Sequence, residues 1–271
     1  FQDFLENNHQ YWDYVDEDLE QSMRGKSRVT FYLPADETGF SKMGQVRIAL
    51  AKLKQERTEC GSLLMTLENL EDADWENNWK QYYKPMEIGE RLLVIPQWLQ
   101  SEPKVKKLLS QGRVPLILDP GLTFGTGSHA TTRLCLTALE QHIRGGERVL
   151  DLGCGSGILS IAALRLGAAS ATAVDIDDKC LTVAYENAAL NGIGKDTYTV
   201  LVGDVLSDET ARRQVGGGYQ IVVANIVADV IKGLAPMVRS FLADGGLFLC
   251  SGIIDDRAEE VADALRAAGL E

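Results

Sequence analysis

The sequence has few residues of the kinds that bind structural metals or form disulfide frameworks. Its five cysteines are scattered, no two of them form a C-x-x-C pair, and there are only three histidines. Zinc sites and disulfide scaffolds normally show closely spaced cysteines, so we predict neither a metal site nor disulfides. Unpaired thiols are typical of a reducing compartment. We therefore expect a cytoplasmic protein whose cysteines serve as small apolar side chains.

Long apolar runs and an excess of basic residues are also absent. No run approaches the roughly 20 apolar residues of a membrane span, so we predict no membrane partner. Residues 1–112 hold 19 acidic and 14 basic residues, and residues 113–271 hold 20 and 13, which gives net charges of −5 and −7. Surfaces that bind nucleic acid are normally basic, so we predict no direct requirement for nucleic acid. The acidic charge is compatible with a basic partner, and we expect a monomer.

Five short apolar runs alternate with helical patterns in the C-terminal half. The runs are residues 149–152, 171–174, 198–202, 221–224 and 247–250, and the helical stretches lie near 157–166, 178–191, 227–241 and 256–268. Strands that are apolar on both faces and alternate with helices indicate a parallel sheet covered on both sides. We therefore predict a doubly wound, Rossmann-like α/β domain over residues 85–271, with its ligand at the carboxyl ends of the strands.

The N-terminal part has a different pattern. Strand-like residues 28–33, a helical stretch at 42–57 and strand-like residues 62–67 predict a small α+β domain over residues 1–69. Residues 71–83 are helical in pattern and precede Pro85, so we assign residues 70–84 to a linker helix.

A glycine-rich turn follows the first apolar run of the C-terminal half. Gly153, Gly155 and Gly157 lie in the sequence Asp-Leu-Gly-Cys-Gly-Ser-Gly, which begins at Asp151. Glycine adopts positive φ and lets a ligand approach the backbone closely. The G-x-G-x-G spacing differs from the G-x-G-x-x-G of dinucleotide binders. This tight form, preceded by Asp151, favours S-adenosylmethionine as the ligand.

Polar residues end or follow the next three apolar runs. Asp175 ends the second run, and a carboxylate there can accept hydrogen bonds from both hydroxyls of a ribose. The glycine turn and Asp175 together indicate an adenosine-containing cofactor, either NAD or S-adenosylmethionine. Asp204 follows the third run and either accepts a hydrogen bond from an adenine amino group or serves in a turn. Asn225 follows the fourth run and either holds an amine nucleophile through its carbonyl oxygen or N-caps the next helix.

A second glycine-rich segment, residues 119–132, precedes the sheet. It contains Gly121, Gly125 and Gly127 but lacks the Gly-Lys-[Ser/Thr] of a P-loop, which argues against hydrolysis of nucleoside triphosphates. Its His129 is a lone histidine, which is more typical of a structural role than of a catalytic one.

The combination of these segments closely resembles the PrmA family of ribosomal protein L11 methyltransferases, which are class I methyltransferases. The resemblance covers nearly the whole chain and rests on Phe124-Gly-Thr-Gly-Ser-His-Ala-Thr-Thr132, Asp151-Leu-Gly-Cys-Gly-Ser-Gly157, Val174-Asp-Ile-Asp177 and Val223-Ala-Asn-Ile226. The glycine turn alone indicates only the class, and the loop at 124–132 narrows it to this family.

The resemblance implies transfer of methyl groups from S-adenosylmethionine to lysine side-chain and N-terminal amines of ribosomal protein L11. It implies that the N-terminal domain is ferredoxin-like and recognises the substrate. Its first strand and helix, and the last two strands of the sheet, are missing from this sequence by comparison with the family pattern. The family's cofactor-binding positions fall on Thr132, Gly153, Asp175 and Asn225, and we expect Asn225 also to orient the amine. From their places in the loop and the turn we add Phe124, near the sulfonium, and Gly155.

Other interpretations remain open from the sequence. One is a class I enzyme that methylates another protein, a small amine or RNA, although the acidic charge argues against RNA. A second is an NAD-dependent oxidoreductase. A third is a catalytically silent cofactor-binding protein of ribosome assembly, against which the presence of Asn225 argues.

Overall fold

The computed structural model divides the chain into two compact units, Phe1–Lys80 and Gln81–Glu271. The structure describes residues 29, 31, 33, 37–57, 61–66, 80, 83–119, 127 and 129–270. Within these residues, no helix combines the length and the apolar character that crossing a membrane requires.

The first unit is described mainly through one helix, α1, which spans Glu37–Glu56. This helix confirms the helical prediction for residues 42–57, although it begins earlier. Residues 62–66 were expected in a strand and do not form one. Leu63 has φ +44°, outside the extended region, so a regular strand does not run through this residue. The remainder of the predicted α+β domain, and most of the predicted linker helix at 70–84, lie outside the described residues.

The second unit begins with a small three-stranded sheet, which was not predicted from the sequence. Strand β1 (Met86–Ile88) pairs antiparallel with β2 (Leu92–Pro96), which pairs parallel with β3 (Val114–Leu118). The connection from β2 to β3 contains helix α2 (Pro103–Ser110). β1 is very short, and β2 is buried along its whole length. A short apolar run of this kind cannot be assigned to strand or helix from periodicity alone.

Helix α3 (Ala130–His142) fastens the small sheet through one buried carboxylate. Gly89 has φ +50°, and a Cβ there would lie 2.5 Å from Oε1 of Glu140, so the turn between β1 and β2 closes around this side chain. The carboxylate of Glu140 accepts three backbone N–H groups, those of Glu90 at 2.8 Å, Arg91 at 3.0 Å and Leu92 at 3.2 Å. Because hydrogen bonds to a charged group are strong, this contact fixes the hairpin to α3.

The main sheet has five strands, and all neighbouring strands are parallel. The strands are β4 (Arg148–Leu152), β5 (Ser170–Asp175), β6 (Tyr198–Val202), β7 (Tyr219–Asn225) and β8 (Leu242–Ser251), in the spatial order β6-β5-β4-β7-β8. The helices that follow them are α4 (Ile158–Leu166), α5 (Asp178–Leu190), α6 (Glu209–Val215), α7 (Ala228–Phe241) and α8 (Ala258–Ala267). All five predicted strands and four predicted helices are confirmed, and α6 was not predicted.

Both faces of this sheet are covered, as the apolar runs predicted. Along β4, Val149 packs into one buried cluster together with Ile161 of α4. The next residue, Leu150, packs into a second cluster together with Val238 of α7. The alternation places a core on each side of the sheet, which confirms the predicted doubly wound α/β class.

Candidate active site

The carboxyl ends of β5, β4 and β7 lie side by side at one edge of the main sheet. The chain runs from β4 outward through β5 and β6, and then returns to β7 on the other side of β4. Ligands of doubly wound sheets bind where the strand order reverses in this way. The glycine turn follows β4, Asp175 ends β5 and Asn225 ends β7. The fold therefore brings three separate predicted site segments to the same edge.

The glycine turn adopts a backbone that other residues would not tolerate. Gly153, Gly155 and Gly157 have φ of +74°, +51° and +78°. A Cβ on Gly153 would lie 2.5 Å from Cγ2 of Ile226. The N–H of Gly153 donates to the carbonyl oxygen of Val174 at 2.8 Å, which ties the turn to the end of β5. The turn is thus held close to the neighbouring loops, and its own backbone remains accessible at Gly153.

Asp175 forms a hydrogen bond with the glycine turn, a contact that was not predicted from the sequence. Its Oδ2 accepts the N–H of Gly155 at 2.8 Å, and its Oδ1 accepts the N–H of Asp177 at 3.0 Å. Each carboxylate oxygen has two lone pairs, so each can accept a further hydrogen bond. The residue can therefore order the turn and still accept hydroxyl groups of a ligand.

Asn225 is paired with Thr132 across the edge of the sheet. Its Nδ2 donates to Oγ1 of Thr132 at 3.1 Å, and Thr132 is buried in the first turn of α3. The N-cap alternative for Asn225 is wrong, because α7 is capped at Val227 without any side-chain hydrogen bond. Within the described residues the side-chain oxygen of Asn225, Oδ1, has no hydrogen-bond partner, so it can accept a hydrogen bond from a ligand.

Asp204 serves in the turn after β6. Its Oδ1 accepts the N–H of Leu206 at 2.8 Å, and its Oδ2 accepts the hydroxyl of Ser207 at 2.6 Å. These hydrogen bonds, that of Ser207 first, lower the pKa of its carboxyl. The structure therefore shows the turn role that the sequence left as an alternative, and the contact with adenine stays a prediction.

The loop before α3 contributes a helix cap at its described end. Nδ1 of His129 accepts the N–H of Thr131 at 3.3 Å, so His129 is the N-cap of α3. This bears out the structural role that was favoured for the lone histidine. Phe124, which was predicted to lie near the sulfonium, falls outside the described residues.

Asp151 is a buried acid beside the glycine turn whose environment could not be read from the sequence. Its Oδ2 accepts the N–H of Ser160 at 3.1 Å, while Oδ1 is buried without a partner among the described residues. Burial is the main cause that raises the pKa of its carboxyl from 3.8 to about 7. A carboxyl of this kind is expected to change protonation near neutral pH.

A family model described as "Ribosomal protein L11 methyltransferase (PrmA)" matches residues 2–271. The chain belongs to this family. The ribosomal protein L11 methyltransferase of Agathobacter rectalis is 40% identical over 252 residues, covering 91% of this chain and 76% of that protein. The one from an Exiguobacterium species is 41% identical over 249 residues, covering 90% and 73%. The crystal structure of a ribosomal protein L11 methylase from Lactobacillus delbrueckii subsp. bulgaricus is 35% identical, with a TM-score of 0.59 over 69% of this chain and 89% of that one.

Membership of the PrmA family confirms the resemblance that the sequence motifs carried. It also sets aside the NAD-dependent oxidoreductase, because the family consists of methyltransferases and the match spans nearly the whole chain. The geometry adds what a family match does not, namely which side chains hold one another at the site. Asp175 braces the glycine turn, and Thr132 orients Asn225.

Proposed function

We propose that the chain transfers methyl groups from S-adenosylmethionine to amines of ribosomal protein L11, both lysine side chains and the N-terminus. The names of the matched relatives support this substrate. The observation that carries the proposal is the hydrogen bond from Asn225 to Thr132. It leaves the carbonyl oxygen of Asn225 available to an amine at the edge of the sheet where the glycine turn lies.

The residues at this edge fit S-adenosylmethionine. There is no room for a Cβ on Gly153, since that atom would lie 2.5 Å from Cγ2 of Ile226, so only glycine fits at the point where we place the ligand. We assign the methionine tail to the backbone of Gly153 and Gly155 together with Thr132, and the ribose to Asp175. In the same proposal Asp204 accepts from the adenine, and Phe124 lies near the sulfonium. When bound, S-adenosylmethionine supplies an electrophilic methyl group on its sulfonium.

The nucleophile must be a neutral amine, and this requirement gives Asn225 its catalytic role. At pH 7, deprotonating a lysine of ordinary pKa costs about 4.6 kcal/mol, and deprotonating an N-terminal amine costs about 1.1 kcal/mol. Removing the amine from water lowers the pKa of a lysine and reduces this cost. The oxygen of Asn225 accepts an N–H of the amine and aims the nitrogen lone pair, while water takes the proton. Correct positioning of this kind lowers the activation barrier by several kcal/mol.

The N-terminal unit is our proposed recognition module for the ribosomal protein. We assign substrate recognition to residues 1–69, the linker to residues 70–84 and catalysis to residues 85–271. The net charge of −12 complements a basic partner such as a ribosomal protein. We propose that the protein acts as a cytoplasmic monomer.

One transfer assay tests the reaction and the substrate. The chain is incubated with labelled S-adenosylmethionine and a mixture of ribosomal proteins, and mass spectrometry of the labelled band locates the methyl groups. We expect label in L11, on lysine side chains and at the N-terminus. Label in another protein would overturn the substrate, and binding of the cofactor without any transfer would overturn the enzymatic proposal.

Two substitutions separate cofactor binding from transfer. Asp175→Asn should weaken binding of S-adenosylmethionine roughly 10- to 150-fold, the value of a lost hydrogen bond to a charged group. Asp177→Asn is the matched control, because it removes the same charge two residues away and asparagine still caps the helix. Asn225→Ala should reduce turnover more than affinity for the cofactor. Equal losses in both would reduce Asn225 to a binding residue.

A further inference from the structure

The buried carboxamide of Asn187 connects two segments that are far apart in the sequence. Asn187 lies in α5 and is 1% exposed. Its Nδ2 donates to the carbonyl oxygen of Ser156, within the glycine turn, at 3.0 Å. Its Oδ1 accepts the N–H of Asp119, the first residue after β3, at 2.9 Å. One side chain therefore bonds both to the glycine turn and to the residue that follows β3.

The neighbouring contacts show that this connection belongs to a larger clamp on the edge of β3. Among the residues that the structure describes, β3 has a neighbouring strand, β2, on one side only. On its other side, the backbone of Ile117 bonds with Asn191, through Oδ1 at 2.9 Å and Nδ2 at 2.6 Å. Nε of Arg165 donates to the carbonyl oxygen of Pro115 at 3.2 Å. Side chains of α4 and α5 therefore satisfy the backbone groups of the free edge that would otherwise be exposed or unpaired.

Within this clamp, Asn187 differs from Asn191 in one respect. Asn187 lies in α5 and Asn191, four residues later, is its C-cap; both are buried, and both bond to the backbone at or directly after β3. Only Asn187 also bonds to the glycine turn. The turn packs against the same helix, since a Cβ on Gly157 would lie 3.1 Å from Cβ of Ala184. Asn187 therefore links the glycine turn to the residue that follows β3.

We infer that Asn187 is a positioning residue for the cofactor, which fixes the glycine turn relative to Asp119 at the end of β3. The inference rests on the proposed S-adenosylmethionine site. The turn contains three glycines at positive φ, and glycine loses more conformational freedom on ordering than any other residue. A buried hydrogen bond to the turn from a rigid helix lowers the cost of ordering it on binding, which is how preorganisation increases affinity. Asn191, which makes no contact with the turn, contributes to stability alone.

The experiment compares Asn187→Ala, Asn187→Asp and Asn191→Ala in the full chain, with S-adenosylmethionine as the probe. Calorimetry gives the Kd, kinetics gives KM and kcat, and thermal unfolding gives the stability of each variant. We expect both alanine variants to lower the Tm. We expect the Kd to rise on the order of tenfold for Asn187→Ala, as for one buried hydrogen bond, and less than about twofold for Asn191→Ala.

Asn187→Asp separates the two halves of the connection and preserves the volume of the side chain. A carboxylate still accepts the N–H of Asp119 but cannot donate to the carbonyl oxygen of Ser156, whereas the protonated acid, which burial favours, can do both. We therefore expect the Kd and KM of this variant to rise with pH towards those of the alanine variant as the buried acid ionises. Equal effects of Asn187→Ala and Asn191→Ala on the Kd, or no effect of either, would overturn the positioning role. A wild-type chain that fails to bind S-adenosylmethionine would overturn the proposed function as well. Binding together with transfer to a protein other than L11 would overturn only the proposed substrate.

Discussion

The wild-type protein should lose stability as pH rises, because Asp151 ionises in the folded state. Replacing Asp151 with asparagine should abolish this loss. Asp151 is fully buried, and this burial, its largest influence, raises its carboxyl pKa from 3.8 to about 7. A carboxyl whose pKa is higher in the folded than in the unfolded state stabilises the fold fully below the unfolded pKa. That contribution is lost as pH rises through the folded pKa. For Asp151 the window therefore extends from pH 3.8 to about pH 7.

The size of the effect follows from the two pKa values. One pKa unit is worth 1.36 kcal/mol, so raising the pKa from 3.8 to about 7 corresponds to roughly 4 kcal/mol over the whole window. Between about pH 5 and pH 8.5, where the assay is practical, the loss amounts to roughly 3 kcal/mol. A change of this size is a large part of the stability of an ordinary domain.

Urea unfolding of wild type and Asp151→Asn across that pH range measures the effect. The amide does not titrate, and its oxygen can still accept the N–H of Ser160, which lies 3.1 Å from the carboxylate. Any other consequence of the substitution is therefore the same at every pH. The difference in the free energy of unfolding should shift by roughly 3 kcal/mol in favour of the variant as pH rises. A difference that stays constant with pH would refute the raised pKa of Asp151.

Three further outcomes are expected. Gly153→Ala should cost about 1–2 kcal/mol from the left-handed backbone alone, and more from the 2.5 Å approach to Ile226, with a matching loss of cofactor affinity in calorimetry. Unchanged binding would contradict the close fit of the turn. Glu140→Gln should lower the free energy of unfolding in urea by about 2 kcal/mol, because the amide offers one oxygen to N–H groups that the carboxylate now binds with two. Cys135 should resist alkylation at pH 8 in the native chain, since burial raises the pKa of its thiol to about 12; rapid labelling of this thiol would contradict it.

The main sheet could be predicted because each of its strands contains a short apolar run that is continuous in the sequence. Strands buried on both faces are mostly apolar in their central residues, as residues 221–224 of β7 show. The polar residues Asp175 and Asn225 stand out at the ends of such runs because few other polar groups interrupt them. A candidate site at one edge of the sheet could therefore be predicted from the sequence.

The small sheet and the contacts within the site could not be predicted, because they depend on partners distant in the chain. β1 is too short to give a periodic signal, and the turn that follows it is held by Glu140 of α3, 50 residues from Glu90. The hydrogen bond between Asn225 and Thr132 spans 93 residues, and that between Asn187 and Asp119 spans 68. An asparagine in a helix is not unusual, so nothing in the sequence marks Asn187 as part of the site.

The glycine turn shows why these distant contacts matter for function. Glycines allow the backbone to approach a ligand, but they also make the free loop the most flexible part of a chain. The sequence of the turn therefore permits its shape without enforcing it. Here the shape is enforced from outside, by the carbonyl oxygen of Val174, the carboxylate of Asp175 and the carboxamide of Asn187. On our proposal, affinity for a cofactor at this turn depends on α5 as well as on the glycines, since a loop ordered before binding loses less entropy when the ligand arrives.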